Sequence, residues 1–356
     1  MIKNNYLDNY KNIKVLVTGS TGFKGSWLCY WLNSIGAKVY GIGLKPERGF
    51  ILYDKLRMKE KIKQYYCDIA NFNKLDSLVK KIKPDIVFHL AAQSIVSNSY
   101  IFPKETIQTN VMGSANILQS VKKNNINSLV FITSDKCYLN ESIKKNYKES
   151  DKLGGYDIYS ASKASAEILF FSYYNSFYKK NSKLSVASAR AGNVIGGGDF
   201  KENRIVPDFF KSVKKKTILT IRNPNATRPW QHVLEPLSGY LKLGSMLLNR
   251  KLNSNLYPSW NFGPNPVNCK KVIEILNILF QLSNKEKTIR IIKNSEIYES
   301  SLLSLSIKKA NKELNWKPRL TLKSSLKLTA EWYLKYFNNE NVEDLTFKQI
   351  SYFSNL

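Results

Sequence analysis

Residues 15–28 read VLVTGSTGFKGSWL. An apolar, valine-rich run ends at Gly19, and Gly22 and Gly25 follow before a helical pattern through Trp27, Leu28, Trp31 and Leu32. Glycine tolerates the backbone angles of a tight turn and lets backbone N–H groups come close to a ligand. The N-terminus of the helix that follows adds partial positive charge. Strand, glycine turn and helix in that order predict a dinucleotide-binding unit with a pyrophosphate over the turn. The spacing is GxxGxxG, not the commoner GxGxxG.

Outward from this unit, short apolar runs alternate with helical patterns. Residues 14–18 and 38–43 read as the first two strands and 86–90 as a fourth, with 129–133 and 185–189 following after further helices. Continuous apolar strands separated by helices predict an α/β fold: a Rossmann-like, doubly wound parallel sheet covered on both faces. The rhythm breaks at 192–229, with Gly196-Gly197-Gly198 and several prolines, and a short strand-like run returns at 259–263. Residues 1–192, with a return segment at about 230–263, are therefore expected to form the dinucleotide-binding domain. Residues 193–229 and 264–356 are expected to form a smaller, discontinuous substrate-binding region.

The bulk numbers narrow the function. A chain of 356 residues can bury a substantial core. No stretch approaches eighteen apolar residues, and the N-terminal MIKNNYLDNYKNIK lacks the apolar core of a secretory signal. The four scattered cysteines, Cys29, Cys67, Cys137 and Cys269, fit a reduced cytoplasm. The formal charge of +28 is mostly lysine spread along the chain, which reads as composition bias and not as a specific nucleic-acid surface. Arginine is scarcer: of nine, Arg190, Arg204, Arg222 and Arg228 fall close together. Guanidinium forks suit phosphate oxygens, so this cluster predicts a polyphosphate ligand. The two histidines, His89 and His232, are far apart in sequence and the cysteines are unpaired, so no metal site is expected. His89 reads as a core histidine or a group of the cofactor site, and His232 as structural.

Two motifs carry candidate chemistry. FITSDKCY, residues 131–138, ends an apolar run in a hydroxyl, a carboxylate and an ammonium. Charged residues are rarely fully buried unless paired. Asp135 and Lys136 are thus a solvated strand end, an ion pair, or working groups of an active site. In YSASK, Tyr159 and Lys163 stand four residues apart, which puts both on one helix face. A neighbouring ammonium and the positive nicotinamide of a bound dinucleotide would lower the phenol pKa from ~10 and let tyrosinate take a hydroxyl proton while hydride leaves the same carbon.

The glycine turn and the Tyr159/Lys163 pair together resemble the short-chain dehydrogenase/reductase superfamily, in its extended sugar-nucleotide branch. TSDKCY, GGYDIYSASK, ARAGNVIGGGDF, IRNPNATRPWQHVLEP, SIKKANKELNWKPRL and EWYLKYF are more specific, and resemble the CDP-glucose 4,6-dehydratases from about residue 13 to 340. The resemblance implies that Ser134 bonds the reacting sugar hydroxyl and that Asp135 is the general acid for loss of the C6 hydroxyl. Lys136 stands where thymidine- and guanosine-linked relatives place a glutamate base, a departure that leaves it as C5 base or enolate-stabilising cation. The cofactor implied is NAD, held by Gly19, Thr21, Gly22, Phe23, Lys24, Gly25, Asp68, Ile69, Leu90, Ala91 and Ala92 with Tyr159 and Lys163. Lys45, Glu47 and Arg48 after the second strand could suit a 2′-phosphate and leave NADP open. The substrate implied is CDP-glucose or a related nucleotide sugar, contacted by Gln93, Ser134, Asn193, Arg204, Arg222 and Arg228. The resemblance also implies deoxysugar biosynthesis of the kind that supplies lipopolysaccharide O-antigen, and a homodimer or homotetramer built through the Tyr159 helix and its neighbour.

Three rivals stand beside this reading: a 4,6-dehydratase for another nucleotide, a nucleotide-sugar 4-epimerase, and a non-enzymatic NAD(P)-sensing module. An epimerase needs no acid beside the hydroxyl residue, so Asp135 favours dehydration. A sensor has no need of Ser134, Asp135, Tyr159 and Lys163 together.

Overall fold

The alternation of side chains along each strand builds the core. In β1, Lys14–Thr18, Val15 and Val17 enter one apolar cluster with Trp27 and Trp31, while Leu16 enters another with Ile42, Val87 and Leu129. A strand buried on both faces in this way belongs in the middle of a sheet covered by helices on each side. The computed structural model describes residues 6–46, 51–141, 145–181, 184–252, 258–265, 268–292 and 303–356.

The central sheet has seven strands. β1 is flanked by β2, Lys38–Gly43, and β4, Ile86–His89; β3, Lys63–Tyr66, lies outside β2. Beyond β4 come β5, Ser128–Ile132, then β6, Ser185–Arg190, then the strand Ser259–Asn261. Every neighbouring pair is parallel. This is the expected doubly wound sheet. The strand order reverses direction between β1 and β4, and ligands of such sheets bind in the crevice at that point, outside the carboxyl ends of the strands.

β3 has no apolar run to announce it. Its sequence, KQYY, is polar and aromatic, and as the edge strand it is only half-buried. The strands foreseen at 86–90 and 259–263 stop earlier, at His89 and Asn261, and β6 runs one residue further, to Arg190.

After β6 the chain leaves the sheet through the loop at 191–193 and the two-residue strand Val194–Ile195, which pairs with Gln231–His232. The helices Ile205–Lys215, Val272–Leu282 and Leu322–Phe337 form a second layer. Between them lie two small strand pairs, Leu219–Ile221 with Ile289–Ile291 and Thr227–Pro229 with Cys269–Lys271. The helix Leu234–Leu248 returns to pack on β5 and β6. Gly197 seats this layer: a Cβ there would lie 1.9 Å from the Trp332 ring, and its carbonyl accepts from Trp27 Nε1 at 3.0 Å. Among the described residues no helix is long and apolar enough to cross a membrane, and no cluster of three metal-ligating side chains occurs.

Candidate active site

A cleft of about 540 Å³ opens at the carboxyl ends of β1, β4, β5 and β6 and continues between the two layers. Its first wall is the glycine turn. Gly19 has φ +71°, and a Cβ there would lie 2.8 Å from the Ala91 nitrogen. A Cβ on Gly25 would lie 2.0 Å from the Gly19 carbonyl oxygen, so only glycine lets the helix Phe23–Ser34 start against the turn. The result is an open cradle of backbone between strand and helix, the strand–turn–helix unit that the sequence predicts. Thr21, Gly22, Phe23, Lys24, Asp68, Ile69, Leu90, Ala91 and Ala92 line the same cleft. Asp68 is fixed there by Ala70 N–H, which donates to its Oδ1 at 2.9 Å. Lys45 lines a separate hollow with Asp54 and Lys59, while Glu47 and Arg48 lie outside the described residues.

His89 ties β1 to β4. Its Nδ1 lies 2.8 Å from Thr18 Oγ1 and its Nε2 3.2 Å from Ser114 Oγ. Burial, reinforced by Lys163, pushes its pKa down to about 3, so the ring is neutral. His232 is likewise buried, stands edge-on to Trp27, and is pushed down to about 3 by burial. The structural reading holds for His232 and the core reading for His89.

β5 delivers the candidate reactive groups. It ends at Ile132, and Thr133, Ser134 and Asp135 follow at the cleft floor, all buried. Ser134 Oγ donates to Asp135 Oδ1 at 3.0 Å, and Asn193 Nδ2 reaches Asp135 Oδ2 at 3.3 Å. Asn193 takes φ +49°, a conformation asparagine tolerates better than most residues, which turns its amide toward Asp135. Lys136 is half-buried and lines the cleft. Among the described residues it makes no ion pair, so the Asp135–Lys136 pair considered from sequence does not form.

The helix Ile158–Tyr173 begins at Asp157, whose side chain accepts from Ser160 N–H at 2.9 Å. That cap places Tyr159 in the first turn and Lys163 one turn later, with Lys163 Nζ 5.9 Å from the Tyr159 ring centre. Both line the cleft beside Ser134. The protein's own groups do not lower the phenol pKa. Burial pushes Tyr159 up to about 12; a hydrogen bond with Ser134 and the charge of Arg204 oppose it. Lys163 is itself brought down to about 8 by burial and by Lys24, so desolvation weakens the cation that the helix spacing supplies. Lys24 is lowered to about 8 by burial and Arg204.

On the opposite bank, Arg204 Nη1 donates to Asp199 Oδ2 at 2.7 Å, and Nη2 donates to Ser94 Oγ at 2.8 Å across the cleft. Asn193, Arg204, Arg222 and Arg228 all line it. Arg190 does not. It is buried behind the site, where Nη2 donates to Glu167 Oε2 at 2.7 Å and Nη1 to Tyr138 at 2.8 Å. Glu167 also accepts from Thr133 and from Ser188. Gln93 also stands apart. Its side chain is used locally, donating to Thr106 at 3.0 Å and accepting from Ile95 N–H at 2.5 Å, and it does not line the cleft. Sequence reasoning passed over Asp199 and Asp208, which line the cleft near Arg204. Their only signal is position: Asp199 closes the GGGDF run and Asp208 stands four residues after Arg204.

The arrangement can hold a dinucleotide against the β1 turn and a polar ligand across from it. It brings a hydroxyl, a carboxylate, a phenol and two lysines to the junction. Comparison with known proteins agrees with this geometry. The model of the family described as GDP-mannose 4,6 dehydratase matches residues 16–329. The CDP-glucose 4,6-dehydratase of Salmonella typhimurium is 38% identical over 99% of this chain and 98% of its own. Among solved structures, an epimerase of Methanothermobacter thermautotrophicus superposes with a TM-score of 0.80 at 24% identity, covering 94% of this chain and 96% of that one. A dTDP-glucose 4,6-dehydratase of Streptomyces venezuelae, solved with NAD bound, gives a TM-score of 0.78 at 20% identity over 94% and 100% of the two chains. The solved structures share the fold, while the family model and the 38% identical relative reach further: the chain belongs to the GDP-mannose 4,6 dehydratase family.

Proposed function

We propose that the protein is a hydro-lyase converting CDP-D-glucose to CDP-4-dehydro-6-deoxy-D-glucose and water. The observation that carries the reading is the buried Asp135 carboxylate, bonded to Ser134 and Asn193 in the cleft that Tyr159 and Lys163 line. The Gly19–Gly25 turn would hold NAD, which when bound would supply a hydride acceptor for C4 and a hydride donor for C6, so there would be no net redox change.

The chain's own groups do the rest. Ser134 orients the C4 hydroxyl, and Tyr159 takes its proton as C4 becomes a ketone. Burial disfavours the tyrosinate, and the Ser134 hydrogen bond and the Arg204 charge favour it. The ketone acidifies the C5 proton. Lys136, half-buried and without an ion-pair partner among the described residues, removes that proton or stabilises the enolate. Asp135, protonated at this step, gives its proton to the departing C6 hydroxyl, which leaves as water. The proton taken from C5 returns to C5 as the hydride reaches C6, and the proton held by Tyr159 is relayed through Ser134 to restore Asp135. Asn193 orients the sugar, and Arg204, Arg222 and Arg228 take the diphosphate and nucleoside side. Lys45 lines a hollow apart from the main cleft, which favours NAD over NADP.

Residues 1–192 with 230–263 act as the cofactor-holding part, and 193–229 with 264–356 as the substrate-holding part. Ile101, Ile107 and Met112, with Ile168 and Phe171 of the Tyr159 helix, expose an apolar face that suits a homodimer, or a tetramer of such pairs. The assembly works in the cytoplasm, in deoxysugar supply for surface polysaccharide, with no specific nucleic-acid partner. The test is incubation with CDP-, dTDP-, GDP- and UDP-hexoses, scored for a 4-keto-6-deoxy product. Turnover of CDP-glucose is expected; its failure with NAD added sinks the proposal.

A further inference from the structure

Beyond Arg204 the cleft runs along the helix Ile205–Lys215, with the strand Leu219–Ile221 and the turn after it on the other side. Asp208 and Arg222 are among the charged side chains that line this end. Asp208 lies one helical turn past Arg204, its N–H donating to the Arg204 carbonyl at 2.9 Å. Arg222 follows the strand, near enough for its charge to act on the Asp208 carboxyl. Both are half-buried, and among the described residues neither side chain is hydrogen-bonded or ion-paired to another group. Burial pushes Asp208 up to about 6, with Lys211 and Arg222 opposing and Glu202 and Asp199 reinforcing. A carboxylate and a guanidinium left partly desolvated and unengaged at one end of the cleft are equipped for a ligand that is itself polar and planar.

The order of groups indicates which part of the ligand reaches them. Tyr159 and Asp135 stand at one end, Arg204 lies within electrostatic reach of Tyr159, and Asp208 comes a turn later. That order matches hexose, diphosphate and nucleoside. A carboxylate only accepts hydrogen bonds and a guanidinium only donates them. The cytosine edge offers an amino donor at N4 and acceptors at N3 and O2. Uracil and thymine carry a carbonyl oxygen at C4, which a carboxylate repels. An aspartate reading a cytosine amine follows the same pairing that side chains use on cytosine in nucleic acids.

We infer that Asp208 and Arg222 set the base specificity of this site, Asp208 accepting from the exocyclic amine of cytosine and Arg222 donating to N3 and O2. The inference rests on the nucleotide-sugar reading above and adds the groups that choose the nucleotide. The test is calorimetric titration of the NAD-loaded protein with CDP, UDP and dTDP. Wild type is expected to bind CDP roughly 10- to 100-fold tighter than UDP or dTDP. Asp208→Asn, which can turn an N–H toward a C4 carbonyl, should bring that ratio close to one. Arg222→Gln should weaken CDP without improving UDP, and it carries the test if Asp208→Asn fails to fold. A wild-type protein with no cytosine preference, or folded variants that keep the wild-type ratio, would overturn the inference and leave the nucleotide-sugar reading standing. A wild type that binds no nucleoside diphosphate would overturn both.

Discussion

Gly192 and Asp135 lie so close that no other residue fits at 192: a Cβ there would stand 2.0 Å from the Asp135 Cγ and Oδ2. The carboxylate fills that space and bonds to Ser134 and Asn193. Gly192→Ala must therefore push it off Ser134. A displacement on the order of 1 Å in a working group costs on the order of 100-fold in rate. The expected outcome is a kcat lowered by about that factor with the far-ultraviolet circular dichroism unchanged. An unaltered kcat would mean that Asp135 need not sit where it does.

As the proposed general acid, Asp135 would act in the second half of the reaction, so its loss should divide the two halves. Asp135→Asn keeps the shape and removes the transferable proton, for an expected loss of roughly 10²- to 10⁴-fold in turnover. C4 oxidation should survive, so the near-ultraviolet absorbance of reduced nicotinamide should build up on mixing with CDP-glucose. Tyr159→Phe should lose turnover on a similar scale and build up none, because its proton transfer belongs to the first half. Absorbance growth in both variants, or in neither, contradicts the assignment.

Behind the site, Glu167 and Arg190 form a buried pair that also holds Thr133, the residue before Ser134. Removing one partner of such a pair leaves an uncompensated charge and costs about 3–5 kcal/mol. Glu167→Gln should lower the urea midpoint accordingly.

Glu235 gives a prediction about pH. Its Oε1 accepts from Arg319 and Leu320 N–H groups at 2.8 and 2.6 Å, while Oε2 is buried without a partner. Burial pushes its carboxyl up to about 7 from an ordinary 4.5. Between those values the folded state binds more protons than the unfolded one, so its contribution is full below pH 4.5 and is lost as pH rises through 7. Glu235→Gln removes this dependence. Relative to wild type, the variant should gain on the order of 3 kcal/mol in unfolding free energy from pH 5 to 8. A constant difference across that range would show that Glu235 does not titrate in this way.

Local patterns were legible in the sequence where spacing alone determines geometry. The glycine turn after β1, the Tyr159 and Lys163 helix face, and the Ser134-Asp135 strand end are all of this kind, and all line the cleft. What tertiary burial decides was not legible. Arg190 clusters in sequence with Arg204, but its partner Glu167 lies on a helix and turns it away from the cleft. Gln93 looks available until Asn110 and Thr106 are seen around it. The proton affinity of Tyr159 follows from desolvation, which no four-residue spacing encodes. β3 escaped because an edge strand needs no apolar run.

If one hydride leaves C4 and returns to C6 of the same sugar while water departs, an isotope at C4 must follow it. CDP-glucose carrying deuterium at C4, incubated with the enzyme and followed by NMR and mass spectrometry, tests it directly. The expected result is a 4-keto-6-deoxy product with the deuterium at C6. A C4 epimer, or a 4-keto-6-deoxy product without that deuterium, would contradict it.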